Sequence, residues 1–147
     1  MTNEDKMPIS HRDYNPYVEA FWKWWPEMYR DLHTFRITGG EPLLSKDTWK
    51  VLDYIIDHTE PNRELCLSIN SNLGVPDVLV DHLIERIQKI ENENKVKEFT
   101  IFTSLDAWGS QAEYIRNGLE FNRFWDNVNK ILTKCSRVSL TFMSTYN

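Results

Sequence analysis

The segment Gly39, Gly40, Glu41 and Pro42 is the first part of the sequence whose residue types suggest ligand chemistry. It follows the β-rich stretch "TFRIT", so it stands at the end of a predicted strand. The two glycines have no Cβ, which lets a ligand approach their backbone, and Pro42 biases Glu41 toward an extended conformation. Exposed carbonyls beside a carboxylate suit an ammonium group. A bare glycine pair also makes an ordinary turn into a helix, but the four-residue context favours binding.

The elements around this segment alternate in a way that predicts a parallel sheet. Each crossover helix returns the chain to the same end of the sheet, so the pattern predicts an α/β fold. Asn15 and Pro16 are typical of a helix start, whereas Pro26 predicts that this first helix is kinked or split. The predicted strands cover 34–38, 64–70, 98–105 and 137–145, and the predicted helices cover 15–32, 45–58, 76–90 and 120–135.

The domain organisation predicted from this pattern is simple. Residues 1–14 are polar and lack an apolar period, so they predict a flexible arm, and residues 15–147 predict one domain. Four strands do not close a barrel, and the sequence ends directly after an apolar strand. The expectation is therefore an incomplete TIM-type barrel, a parallel sheet with crossover helices that has been cut at both ends.

Polar residues also follow the other predicted strands, and parallel strands bring their carboxyl ends to one edge. Asparagine and serine side chains there can hydrogen-bond a ligand, and an arginine can bind a carboxylate with two hydrogen bonds. Each has an alternative interpretation: turn formation, capping or a solvated cation. The candidates after the second, third and fourth strands are Asn70, Ser71, Asn72, Ser104, Asp106, Arg116 and Met143.

Composition excludes several classes of function. The net charge is −5, and no cluster of Lys and Arg predicts a nucleic-acid partner. No secretory signal and no apolar run of membrane-spanning length is present, so we expect no membrane partner and a cytoplasmic location. The cysteines, Cys66 and Cys135, lie in apolar segments and predict buried, reduced thiols. Neither they nor the four histidines have metal-ligand spacing, so no metal ligands are predicted.

The segment "FRITGGEPLLSKDTWKVLDYI" resembles the GGEP motif region of the radical S-adenosylmethionine (SAM) superfamily. The segments "INSN", "FTSLDAWGSQAEYIRNG" and "VSLTFMSTYN" are similar to the strand ends that follow in those enzymes. The resemblance covers roughly residues 34–147, and its order suggests the subgroup that carries a C-terminal twitch or SPASM domain.

This resemblance implies a set of roles for the candidate residues. Gly39, Gly40 and Glu41 would hold the amino group of the methionyl moiety, and Ser104 and Arg116 would hold its carboxylate. The asparagines and Ser71 would meet the ribose, Asp106 would meet ribose or substrate, and the backbone near Met143 would border the adenine. The parent reaction would be reductive cleavage of SAM at a 4Fe-4S cluster, giving a 5′-deoxyadenosyl radical that abstracts a hydrogen atom. An external electron donor and an unidentified substrate, peptide or small molecule, would be the partners.

The sequence departs from the superfamily in one respect. Three cysteines spaced CxxxCxxC hold the cluster in the superfamily and precede the GGEP strand, and this chain has no such motif. We therefore expect the chain alone to be inactive, and its catalytic residues are unknown. Three explanations stay open: a fragment of a longer enzyme, a split or degenerate SAM-binding subunit whose partner chain carries the cluster, and an unrelated phosphate- or nucleotide-binding α/β domain.

Overall fold

The computed structural model describes residues 15–145, so the predicted arm over residues 1–14 lies outside the described residues. The chain divides into two compact units, one extending to Leu32 and the other beginning at His33. The candidate residues all belong to the second unit.

The first unit contains helix α1, Pro16–Asp31, which begins as predicted. The Asn15 side chain accepts hydrogen bonds from backbone N–H groups of the first turn, and proline occupies the first helical position. Pro26 was predicted to kink or split this element, and the split does not occur, because one helix runs through Pro26. The rings of Trp25 and Tyr29 lie 5.9 Å apart on either side of the proline.

The second unit confirms the predicted α/β class and the alternation of strands and helices. Two short elements were not predicted: a 3-10 turn at Pro42–Leu44 and the helix α4. The elements are β1 (Thr34–Ile37), α2 (Lys46–Asp57), β2 (Asn62–Asn70), α3 (Asp77–Asn92), β3 (Val96–Ser104), α4 (Ser110–Ile115), α5 (Phe121–Lys134) and β4 (Val138–Met143).

All four strands pair in parallel, in the order β1-β2-β3-β4. The register places Arg36 beside Ser68, and Ser68 in turn beside Thr100. At the carboxyl end of the sheet, Ser104 pairs with Met143. The ends of consecutive strands therefore lie next to one another, as the parallel prediction required.

The two faces of the sheet differ in chemistry because side chains alternate along each strand. One face carries the apolar core residues of β2 and β3, including Leu67, Ile69 and Ile101, all fully buried. The opposite face carries mainly polar side chains, among them Arg36 and Asn70, and most of them are at least partly exposed. The helices therefore cover the apolar face, and the polar face is more accessible.

The helices bury apolar stripes against the sheet. Helix α3 buries Val80, whereas Val78 is 55% exposed. The stripe continues through Leu83 and Ile87 at spacings of three and four, which is the regular helical repeat. Leu132 of α5 is exposed, although it is apolar.

A buried asparagine joins α5 to the loop that follows β2. The Nδ2 group of Asn127 donates to the carbonyls of Leu73 and Val75, at 2.8 and 3.2 Å, and Asn127 is 2% exposed. The two loop carbonyls thus accept hydrogen bonds from a side chain and not from a neighbouring strand or helix. This contact fixes the chain directly after the β2 strand end.

We predict that Asn127→Ala lowers the free energy of unfolding by about 2 to 3 kcal/mol, since it leaves two buried carbonyls without their donor. Urea unfolding followed by circular dichroism measures this. Asn129→Ala, an exposed position on the same helix, is the matched control and should change stability by less than about 0.5 kcal/mol. Equal effects of the two variants would contradict the role assigned to Asn127.

Candidate functional site

A cavity of about 590 Å³ opens at the carboxyl edge of the sheet. Its volume lies in the range of roughly 300 to 1,000 Å³ that is usual for small-molecule sites. Most of the predicted site residues line it, and they come from all four strand ends. The lining residues are Gly39, Gly40, Asn70, Asn72, Gly74, Ser104, Arg116, Asn117, Gly118, Leu119 and Met143.

The diglycine corner forms one side of the cavity. Gly39 and Gly40 have φ angles of +95° and +55°, a region that other residues enter only with strain. A Cβ built on either residue would have no heavy atom within 4 Å, so crowding is not what requires glycine there. The backbone conformation requires it, and the absence of side chains leaves this part of the cavity wall as bare main chain.

Glu41 is not among the residues that line the cavity, and its expected contact with a ligand stays a prediction. Its Oε1 accepts hydrogen bonds from Leu43 N at 3.1 Å and from Ser71 Oγ at 2.8 Å, and its Oε2 accepts from Asn72 N at 2.8 Å. Glu41 has the predicted extended backbone, with φ −113° and ψ 105°. The carboxylate therefore caps the 3-10 turn and ties the end of β1 to the end of β2. Pro42, at the first position of that turn, is buried and also lies outside the cavity lining.

The end of β2 contributes its two asparagines to the cavity but not the serine between them. Ser71 is 3% exposed, and its Oγ donates to Glu41 and accepts from Leu73 N at 3.1 Å. Its hydroxyl thus donates to and accepts from the protein, and its expected role toward a ribose stays a prediction. Asn72 lines the cavity while its Oδ1 accepts from Gly74 N at 2.8 Å, the turn pattern that was the alternative interpretation.

Arg116 and Ser104 meet in another part of the cavity lining, and both are far from the diglycine corner in sequence. Arg116 Nη1 donates to the backbone carbonyl of Ser104 at 2.8 Å, and both residues line the cavity. The guanidinium Nε lies 3.8 Å from Asp106 Oδ2. A carbonyl and a carboxylate thus hold the guanidinium from the protein side, and its remaining N–H groups are available to a ligand.

Asp106 itself does not line the cavity, so its predicted contact with ribose or substrate has no support in the structure. Its Oδ1 accepts from Thr145 N at 2.7 Å, next to the ion pair with Arg116. The Met143 carbonyl accepts from Leu105 N at 3.1 Å, and Ser144 Oγ donates to the Leu105 carbonyl at 2.6 Å. These bonds fasten the end of β3 to the end of β4, and they leave the Met143 side chain at the cavity.

Four further residues line the cavity and were not predicted from the sequence: Gly74, Asn117, Gly118 and Leu119. Gly118 has φ +85°, so the chain turns sharply just after Arg116. The Asn-Gly dipeptide is a strong turn signal, and its position beside the candidate arginine could have identified this segment. Together with Met143, the leucine adds an apolar contact surface to the cavity.

The cysteines do not fit a 4Fe-4S cluster. Cys135 is buried after α5, and burial raises the pKa of its thiol to about 11, with a smaller contribution from Glu91. Cys66 lies in β2, and desolvation together with Glu98 raises the pKa of its thiol. A cluster binds thiolates, and raised pKa values oppose that form. Among residues 15–145, moreover, no group of three or more His, Cys, Asp or Glu side chains is placed to hold a metal ion.

Comparisons with known protein families, with curated proteins and with solved structures gave no match. Within the described part of the chain, no helix combines the length and the apolar character needed to cross a membrane. The geometry of the cavity is therefore the main observation that bears on function.

The three hydrogen bonds of Glu41 predict a structural effect without any ligand. Glu41→Gln should lower the free energy of unfolding by about 1.5 to 3 kcal/mol, because the neutral amide replaces a charged acceptor of several donors. Denaturant unfolding of the free protein measures this, and Glu64→Gln, exposed on β2, is the control. Unchanged stability in Glu41→Gln would mean that the carboxylate is not a structural tie.

Proposed function

We propose that this chain binds S-adenosylmethionine in the cavity at the strand ends, as the SAM-binding part of a radical SAM enzyme. One observation carries the proposal: the diglycine corner and Arg116, far apart in sequence, line the same cavity. The two sides of the cavity match the ammonium group and the carboxylate of the methionyl part of SAM. The resemblance of the strand-end motifs to the radical SAM superfamily supports the same ligand.

The residues present suit the groups of this ligand. Arg116 is the permanently charged donor for the carboxylate, and the backbone at Gly39 and Gly40 is the acceptor surface for the ammonium group. Glu41 supports that surface indirectly, through the 3-10 turn that its carboxylate caps. The nucleoside would extend toward the side formed by Asn70, Asn72 and Met143.

The sheet order supports a partial TIM-type barrel as the finer fold assignment. Strands of such a barrel follow one another in sequence order, whereas doubly wound sheets reverse their order at a switch point. The order β1-β2-β3-β4 contains no reversal. Barrel enzymes use the carboxyl edge of the strands for their sites, which is where the cavity lies.

Catalysis needs more than this chain provides. SAM supplies a 5′-deoxyadenosyl group, and the superfamily uses it for hydrogen abstraction with a 4Fe-4S cluster that Cys66 and Cys135 are not suited to hold. We propose that the cluster cysteines lie outside these residues, on a longer chain or a partner chain, in a reducing cytoplasmic setting. The chain's own contribution is to bind and orient SAM. The substrate and the electron donor stay unassigned.

A phosphate-bearing nucleotide is the second candidate, because Arg116 gives the cavity a cation while no acidic side chain of residues 15–145 lines it. Phosphate sites, however, use the free N–H groups at a helix start. At the turn after the diglycine corner, Leu43 N already donates to the Glu41 carboxylate. One N–H group at this turn is therefore occupied by a carboxylate, which would also repel a phosphate, and this favours the amino acid head of SAM.

Calorimetric titration of the full chain with SAM, and separately with ATP and inorganic phosphate, tests the proposal. SAM should bind with saturation, and Arg116→Ala should weaken that binding at least tenfold, since a charge-assisted hydrogen bond contributes about 1.5 to 3 kcal/mol. Arg123→Ala is the control, because this exposed arginine on α5 pairs with Glu120 and does not line the cavity.

Two results would contradict the proposal. Binding of ATP or phosphate but not of SAM would favour the nucleotide-binding alternative. Equal SAM affinity of the wild type and Arg116→Ala would remove the arginine from the site.

A further inference from the structure

Arg36 is a charged residue that the sequence analysis left without a role, and it lies on the polar face of the sheet in the middle of β1. Its Nε donates to Asn70 Oδ1 at 2.8 Å. Its guanidinium carbon lies 4.2 Å from the centre of the Phe102 ring, and Nη2 lies 3.5 Å from the sulfur of Met143. The side chain therefore reaches from β1 across β2 and β3 to β4.

These contacts hold the guanidinium against the sheet. The Phe102 ring supports it by a cation-π contact, and the Met143 sulfur accepts from its far end. Among the described residues no carboxylate forms an ion pair with Arg36, so its side-chain hydrogen bonds go to Asn70 and Met143, two residues that line the cavity. Arg36 thus contacts two residues of the cavity wall without lining the cavity itself.

The bond to Arg36 determines which part of the Asn70 amide a ligand can meet. A guanidinium has only donors, so it must bond the carbonyl oxygen of the amide. The acceptor of Asn70 is therefore turned to Arg36, and the Nδ2 group, with two donors, is what remains for the cavity. Among the described residues nothing accepts a hydrogen bond from this Nδ2 group.

Asn72, two residues further along the chain, is held in a similar way. Its Oδ1 accepts from Gly74 N at 2.8 Å, so its amide also has donors left for a ligand. Two neighbouring amides with engaged oxygens make a wall of hydrogen-bond donors. Such a wall selects ligand atoms that accept, for example a hydroxyl oxygen or a ring nitrogen.

We infer that Arg36 is a positioning residue, which orients Asn70 so that the β2 side of the cavity is a donor subsite for hydrogen-bond acceptors of the ligand. The part concerning the ligand rests on the proposed function, with the nucleoside of SAM supplying the acceptors. The part concerning Asn70 is a property of the free protein.

A double-mutant cycle with SAM tests whether Arg36 acts through Asn70. Asn70→Ala should weaken SAM binding about tenfold, and Arg36→Ala about three- to tenfold. The double variant should bind within about twofold of Asn70→Ala. If the losses of affinity in the two single variants multiply in the double variant, the residues act independently and the positioning role is overturned. No effect of Arg36→Ala would overturn it as well.

Asn70→Asp tests the donor character separately. The aspartate keeps an acceptor for Arg36 but has no N–H groups, so SAM binding should fall at least as far as in Asn70→Ala. Wild-type affinity in Asn70→Asp would overturn the donor subsite.

Arg137→Ala is the matched control for Arg36→Ala, because Arg137 Nη1 bonds Asn94 Oδ1 at 2.6 Å, away from the cavity lining. Loss of Arg137 should leave SAM affinity unchanged.

A measurement on the free protein separates failure of this inference from failure of SAM binding. Nuclear relaxation of the Asn70 side-chain amide should show an ordered group in the wild type and a mobile one in Arg36→Ala, with the Asn94 amide responding instead to Arg137→Ala. If the wild type does not bind SAM, the proposed function fails while this readout still decides the role of Arg36. An equally mobile Asn70 amide in both proteins would overturn it.

Discussion

Parallel pairing of four consecutive strands is the constraint on which the site depends. Because each strand pairs with the next in the same direction, the residues that follow β1, β2, β3 and β4 reach one edge of the sheet. Positions as distant in sequence as Gly39 and Met143 thereby line one cavity. Burial of the apolar face under the helices holds the strands in place. The polar face carries Arg36 and Asn70.

The charged residues at this edge divide into those that line the cavity and those that hold its walls. Glu41 joins the ends of β1 and β2, and Asp106 joins β3 to β4 while it steadies Arg116. The carboxylate oxygens of both acids contact backbone and side-chain donors of the protein. Rigid walls of this kind preorganise a site, since the ligand then meets groups whose positions are already set.

The sequence was sufficient for the α/β class, the strands, most helix starts and the edge where the candidate residues gather. These follow from short-range rules, such as the alternation of elements and the helix cap at Asn15. It was insufficient for the partners of polar side chains. Whether Glu41 faces a ligand or the Ser71 hydroxyl depends on the placement of two strand ends relative to each other, and no local pattern encodes that. Arg36 was missed for the same reason, because its contacts join β1 to β2, β3 and β4.

The most direct test of the central claim is a titration of the ¹⁵N-labelled chain with S-adenosylmethionine, followed by amide chemical shifts. The account predicts saturable shifts at the cavity, at Gly39, Gly40, Asn72 and Gly118, with one common dissociation constant. The amides around Arg123 and Lys130, which lie outside the cavity lining, should stay unchanged. Unchanged cavity amides at saturating SAM, or shifts confined to the surface around Arg123, would contradict the claim that this edge of the sheet binds the ligand.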